Sequence, residues 1–222
     1  MTRNDEPGAA RPEAADPHLT ESPLHGETVF HGRLLHVCRD TVRLPDGGEA
    51  TREYVRHPGA VLVVGLLDDP DTGAGARVVV ERQYRYPVRQ VMLELPAGKI
   101  DPREPPWACA VRELAEETGY QARQWARAGL IHPCVGYSDE IIEIWFARHL
   151  TAGPARLDPG EFLDVGTASL AELDAALASG QLTDGKSVAA LLWLHRLHRG
   201  EWHPDWQAAP VATLADEPHP PA

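Results

Sequence analysis

The chain opens on a stretch with almost no hydrophobic pattern, passes into short apolar runs, and then alternates apolar strands with amphipathic helices. Residues 1–23 are rich in Pro, Ala, Glu and Asp, with few large apolar side chains to offset chain entropy, so this tail is predicted to be disordered. From Thr28 to Val55, β-branched and apolar residues come in short stretches around Leu44-Pro-Asp-Gly-Gly48, and the Asp-Gly-Gly predicts a hairpin. Residues 24–57 are therefore read as a small antiparallel N-terminal sheet.

Residues 58–202 carry the longer pattern. The apolar run Ala60–Leu67 predicts a buried strand, Asp68–Gly75 a turn and Arg77–Glu81 a second strand, followed by a loop leading to Leu93-Glu-Leu-Pro-Ala-Gly98. Pro105–Thr118 predicts a helix, with prolines in its first turn and Gly119 where a C-terminal cap belongs. Strands over Ala126–Ile131, Ile141–Ala147 and Glu161–Val165 and helices over Ser169–Ser179 and Lys186–Arg199 complete the unit. The tail 203–222 returns to Pro-rich composition and is predicted to be loose. Sheet comes before helix along this stretch, and the fold class is read as α+β.

Composition narrows the partners. A length of 222 residues fits one globular domain with an appended element. The net charge of −12 argues against general binding to nucleic acid, which needs a basic surface, yet leaves room for a small anion held by local arginines and metal ions. Three cysteines without Cys-x-x-Cys spacing imply neither a zinc site nor a disulfide framework. With no apolar run of membrane-spanning length and no N-terminal signal pattern, no membrane partner is expected and the compartment is read as cytoplasmic.

On the helical wheel of Pro105–Thr118, Trp107, Ala108, Val111, Leu114 and Ala115 share one face, and Glu113, Glu116 and Glu117 crowd the other. For a helix in isolation a solvated acidic face is the ordinary explanation. These carboxylates, however, occupy the last turns, where the helix dipole already disfavours negative charge. Hard divalent cations such as magnesium, which take a few carboxylate oxygens and keep several waters, are the natural compensation.

The spacing around the helix is more specific. Gly98, then Glu104, then Arg112-Glu113-Leu114-Ala-Glu116-Glu117-Thr-Gly119-Tyr120 resembles the Nudix box at every fixed position, with Tyr120 as a semi-polar occupant of the last apolar slot. That resemblance implies an α/β/α sandwich with a mixed sheet. It implies magnesium or manganese, two or three ions, held by Glu113, Glu116 and Glu117 and by the backbone carbonyl of Ala97. Arg112 and Glu104 would support the glutamates, and Gly98 and Gly119 would serve loop and cap geometry. The implied reaction is hydrolysis of a diphosphate, with positioning and charge neutralisation as its main needs.

Segments outside the box resemble the ADP-ribose pyrophosphatase branch of this superfamily. Arg52-Glu53-Tyr-Val-Arg56 matches a substrate-binding segment, so Arg52, Glu53 and Arg56 are candidates for the nucleotide. Glu81-Arg82-Gln83-Tyr84-Arg85 matches a strand end that offers an arginine to the diphosphate, best represented by Arg85. Solvated surface arginines are the alternative for Arg52, Arg56 and Arg82. The loop His132–Glu140 resembles one bearing a further catalytic glutamate, here at Glu140, although Cys134 and Val135 intervene before Gly136; Asp139 and Glu143 are the local competitors. The branch implies a nucleoside diphosphate sugar as substrate and a homodimer as the assembly. Hydrolysis of GDP-mannose, a dinucleoside polyphosphate or coenzyme A, and a non-catalytic ADP-ribose-binding sensor, are the competing readings.

Overall fold

The computed structural model describes residues 16–68 and 77–209. Most of the expected disordered tail, the turn over Asp68–Gly75 apart from its first residue, and the end of the C-terminal tail lie outside the described residues. The chain forms two compact units.

The N-terminal unit comprises the described residues up to His57 together with Gly136–Asp139. Strands β1 (Ser22–His31), β2 (His36–Arg43) and β3 (Glu49–Arg56) form one antiparallel sheet in that order. The predicted hairpin lies between β2 and β3: Gly47 takes a left-handed φ of 87°, and the Asp46 carboxylate accepts the Gly48 N–H. The first strand starts at Ser22, earlier than Thr28 and inside the stretch read as disordered. All ten of its residues are exposed, so no buried face marks it, and backbone pairing with β2 holds it. Gly136–Asp139 lies along β3, with Val55 N–H donating to Tyr137 O and Asp139 N–H to Val55 O.

The second unit contains β4 (Ala60–Gly65), β5 (Arg77–Arg85), β6 (Gln90–Glu94), β7 (Ala97–Lys99), α1 (Pro106–Thr118) and β8 (Tyr120–Ile131). It continues with β9 (Ile142–Ala152), β10 (Leu163–Ser169), α2 (Leu170–Ser179), α3 (Gly185–His198) and β11 (Gln207–Ala208). Its mixed five-stranded sheet has the order β11-β8-β9-β4-β7, with β4 and β9 parallel, and a three-stranded antiparallel sheet has the order β10-β5-β6. Side chains alternate across β4, which sorts the core into two layers. Val61 and Val63 pack with Cys109, Ala110 and Leu114 of α1, while Leu62 and Val64 pack with Ala190, Leu191 and Leu194 of α3 and Leu173 of α2. This is the expected α+β fold, an α/β/α sandwich with a small N-terminal antiparallel sheet.

Helix ends follow their caps. Pro105 is extended at the N-cap of α1, and Gly119 closes it at φ 73°, donating to Ala115 O. Any side chain at Gly119 would collide with the backbone of Gly153 and Ala155. Ser169 and Glu172 form a capping box on α2. The strands β6 and β7 replace the predicted loop, because their pattern is short and interrupted by Pro96. Part of the predicted loose tail is ordered against the sheet, with Gln207 opposite Trp125 on β8.

Candidate functional site

The face of α1 that packs inward differs from the one the wheel predicts. Cys109, Ala110, Leu114, Glu117 and Thr118 are buried, whereas Trp107 is 39% exposed. Glu117 therefore does not stand on a solvated face. The physical reason is the segment after β6, which covers the side of the helix that an isolated wheel assigns to water. The Glu113 carboxylate lies over Gly98 so closely that a Cβ there would overlap it, and Ala97 N–H donates to Glu117 Oε2 at 3.1 Å.

Arg112 binds the acidic groups together. Its Nη1 donates to Glu113 Oε1 at 2.8 Å and to Glu116 Oε2 at 3.0 Å. Its Nε and Nη2 hold the two oxygens of Glu104 at 2.9 and 2.8 Å, a fork that a lysine could not make. The bond from Arg112 keeps Glu104 below the ordinary carboxylate range, and the same bond, with the nearby glutamates, raises Arg112. Glu104 also caps the turn leading into the helix by accepting the Asp101 N–H.

The remaining charges are less well balanced. Glu117 is pushed up to about 9, first by burial, then by the neighbouring carboxylates of Glu81 and Glu113. Glu113 rises to about 7 by burial, against the pull of Arg112. Glu81, on β5, is fully buried and reaches about 7 through burial and the charge of Glu94. Neither Glu81 carboxylate oxygen has a hydrogen-bond partner among the described residues. Glu161, in the loop before β10, raises both Glu113 and Glu117. That loop is fastened to the end of α1 by Arg156 N–H to Glu116 O and Gly153 N–H to Gly119 O.

These donors fit a hard divalent cation in chemistry, since they are carboxylate oxygens that burial leaves in need of positive charge. Among the described residues, no three Asp, Glu, His or Cys side chains close around a single point. The site offers the facing pair Glu81 and Glu117, with Glu113 and Glu116 drawn aside by Arg112, an arrangement suited to an ion that keeps much of its water.

Arg85 belongs to a separate, compensated network. Its Nε and Nη2 donate to the two oxygens of Glu94 at 2.7 and 2.8 Å, and Glu94 also receives Lys186. Lys186 donates to Asp184 at 3.0 Å, and Asp184 caps α3 by accepting the Ser187 N–H and hydroxyl. The Ser187 hydroxyl accepts the Leu95 N–H, tying α3 back to the chain beside Glu94. Burial would raise Glu94, but the bonds from Arg85 and Lys186 outweigh it and hold this carboxyl below its usual value.

The other candidates divide between the units. Arg52, Glu53 and Arg56 lie on β3 of the N-terminal unit. Arg52 bonds both oxygens of Glu21, Glu53 accepts from Arg39 at 3.0 Å, and Arg56 is raised by its bond to Tyr54. Glu140 is half-buried in the second unit just before β9. Asp139 accepts the His57 N–H at 2.7 Å, and Glu143 pairs with Arg127 at 2.8 Å, on the face of β9 opposite Ile142, Ile144 and Phe146. Sequence reasoning missed Glu81, Glu94, Glu161 and Lys186. A signal existed for two of them: Glu81 follows three valines in a buried strand, and Glu94 sits between Leu93 and Leu95.

The chain is similar to known proteins over most of its length. The NUDIX domain model matches residues 56–191, and the nucleoside diphosphate sugar hydrolase N-terminal domain model matches residues 23–55. The chain belongs to the Nudix family. It is a Nudix pyrophosphohydrolase, and enzymes of this family generally use divalent metal ions. Among similar proteins, an ADP-ribose pyrophosphatase of Bacillus subtilis is 32% identical over 79% of this chain and 93% of its own. An ADP-ribose pyrophosphatase of Mycobacterium tuberculosis is 31% identical over 86% and 94%. The methanol dehydrogenase activator of Bacillus methanolicus is 36% identical over 78% and 92%. The crystal structure of an ADP compounds hydrolase superposes with a TM-score of 0.71 at 24% identity, covering 82% of this chain and 95% of that one, which establishes the shared fold. No described helix of this Nudix protein is long and apolar enough to cross a membrane.

Proposed function

We propose that this Nudix enzyme hydrolyses the diphosphate linkage of a nucleoside diphosphate sugar, with ADP-ribose as the leading substrate and magnesium as the ion. One observation carries the reading: among the described residues neither Glu81 on β5 nor Glu117 on α1 has an ion pair with a cation, although both are buried, and Glu81 shares its face of β5 with Arg85. Similarity to two ADP-ribose pyrophosphatases supports the substrate class.

Glu113, Glu116, Glu117 and the carbonyl of Ala97 are the groups that would hold metal. When bound, the ion neutralises diphosphate oxygens and lowers the pKa of a coordinated water. Arg112 keeps Glu113 and Glu116 in fixed rotamers through its two Nη1 bonds. Arg85, aligned by Glu94, presents its outer donors to the diphosphate. Arg52, Glu53 and Arg56 bind the nucleotide, in a homodimer working in the cytoplasm. Water adds across the P–O–P bond, leaving AMP and ribose 5-phosphate.

Two carboxylates compete to orient the attacking water. The sequence resemblance favours Glu140. The loop that carries Glu161 is fastened to the end of α1 by backbone bonds from Gly153 and Arg156, which favours Glu161, because a carboxylate beside the metal-binding groups but outside their set can receive a proton.

The test incubates purified protein and magnesium with ADP-ribose, GDP-mannose, dinucleoside polyphosphates and coenzyme A, and identifies products by mass. AMP and ribose 5-phosphate are expected as the fastest-forming products. No hydrolysis of any of these compounds, with either magnesium or manganese, would overturn the assignment.

A further inference from the structure

The Nudix box is confined to one loop and one helix, yet a carboxylate from outside it reaches the same place. Glu81 stands on β5, fully buried, with neither carboxylate oxygen hydrogen-bonded among the described residues. Strand alternation puts Glu81 and Arg85 on one face of β5, and Glu81 lies directly opposite Glu94 on β6. The side chain meets Glu117 of α1.

Among the described residues no cation is ion-paired with Glu81 or Glu117. Arg85 gives its Nε and Nη2 to Glu94, and Lys186 gives itself to Glu94 and Asp184. An unpartnered carboxylate in the interior costs several kcal/mol in effective terms and persists only if something external neutralises it. Either a proton shared with Glu117 or a bound cation would do so. Glu81 from the strand and Glu117 from the helix bring carboxylate oxygens together beside the Ala97 backbone, the kind of donor set that a hard divalent cation takes.

We propose that Glu81 is a ligand of the divalent cation, so that the metal site is built from β5 as well as from the helix α1. This rests on the metal use put forward above. The pair would contribute one carboxylate from β5 and one from α1, with carbonyl oxygen and water as the remaining oxygen donors. Binding thereby ties the strand that carries Arg85 to the helix that carries Glu117, and the metal helps set the spacing between the two halves of the site.

The experiment measures Mn2+ binding to chelator-treated protein by calorimetry and electron paramagnetic resonance, in the wild type, Glu81→Gln and Glu117→Gln. Glu81→Gln is expected to weaken Mn2+ by about tenfold or more, to reduce the rise in Tm on adding Mn2+, and to raise the Tm of the metal-free protein. Unchanged Mn2+ affinity in Glu81→Gln, with a more stable metal-free protein, overturns the proposal in favour of a shared proton. Should Glu81→Gln not fold, Glu81→Asp keeps the charge but withdraws it by one methylene; weakened Mn2+ binding supports the assignment, and wild-type affinity overturns it. A wild type that binds no Mn2+ overturns both this inference and the metal-dependent reading. A wild type that binds Mn2+ and cleaves ADP-ribose, beside a Glu81→Gln that binds Mn2+ normally, removes Glu81 alone.

Discussion

Two buried carboxylates of one unit, Glu94 on β6 and Glu117 on α1, have opposite electrostatic settings. Glu94 is 2% exposed and surrounded by Arg85 and Lys186, and its pKa lies below the ordinary carboxylate value. Glu117 is 5% exposed and faces Glu81 and Glu113, and its pKa is about 9. Burial acts the same way on both, so the difference lies in the partners. Around Glu94 the protein supplies its own cations and the network supports Arg85. Around Glu117 it supplies more carboxylates than cations, and the balance has to arrive from solution.

Removing a charge should consequently have opposite effects at the two places. Glu117→Gln is the larger perturbation of function: kcat is expected to fall by about 10²–10³-fold, on the scale of losing one electrostatic contact made in the transition state, while the metal-free protein becomes more stable. Steady-state kinetics beside thermal unfolding check both signs, and retained magnesium-dependent turnover would remove Glu117 from the metal-binding set. Glu94→Ala should instead destabilise the fold by about 3 kcal/mol, because it leaves Lys186 and Arg85 without their shared partner. Urea titration measures this, and a loss near zero would show that the network is dispensable.

Smaller effects sharpen the division of labour. Glu161→Gln and Glu140→Gln form a pair in which the group orienting water should lose about a hundredfold in kcat with little change in KM. The carboxylate cluster favours Glu161 as the more damaging change, and the reverse order would return the role to Glu140. Arg85→Lys keeps the charge but loses the fork, and is expected to raise KM about tenfold, the effect of roughly 1.5 kcal/mol. Unchanged KM with ADP-ribose would confine Arg85 to holding Glu94.

How much of this was legible beforehand follows from where the information lies along the chain. Gly98, Glu104, Arg112, Glu113, Glu116, Glu117 and Gly119 fall within 22 consecutive residues, so their relations are local and spacing alone reveals them. The α+β layering was equally readable, because Ala60–Leu67 and the periodic helices carry strong signals. The burial of Glu117 was not, since it depends on a segment folding over a face that the isolated wheel leaves to solvent. Lys186 reaches Glu94 across 92 residues, and no periodicity announces such a pairing. Glu161 was read only as the start of a strand, and the loop that holds it beside α1 is fixed by backbone bonds from Gly153 and Arg156 that composition does not encode. The early strand β1 escaped notice because its pairing, rather than its side chains, makes it a strand.

An external divalent cation that balances the carboxylates around Glu117 should leave its mark on stability. Thermal unfolding of the metal-free protein across pH, with and without magnesium, tests it. Glu81 and Glu117 have folded values raised to about 7 and about 9 from 4.5, so the stability tied to their protonated forms is fully present below about 4.5 and is lost as pH rises through 7 and then 9. Without magnesium, Tm should decline across that window; with magnesium the decline should flatten, so that the stabilisation by the ion grows with pH. A metal-free Tm that is level from pH 5 to 9, together with a Tm indifferent to magnesium at every pH, would contradict the account.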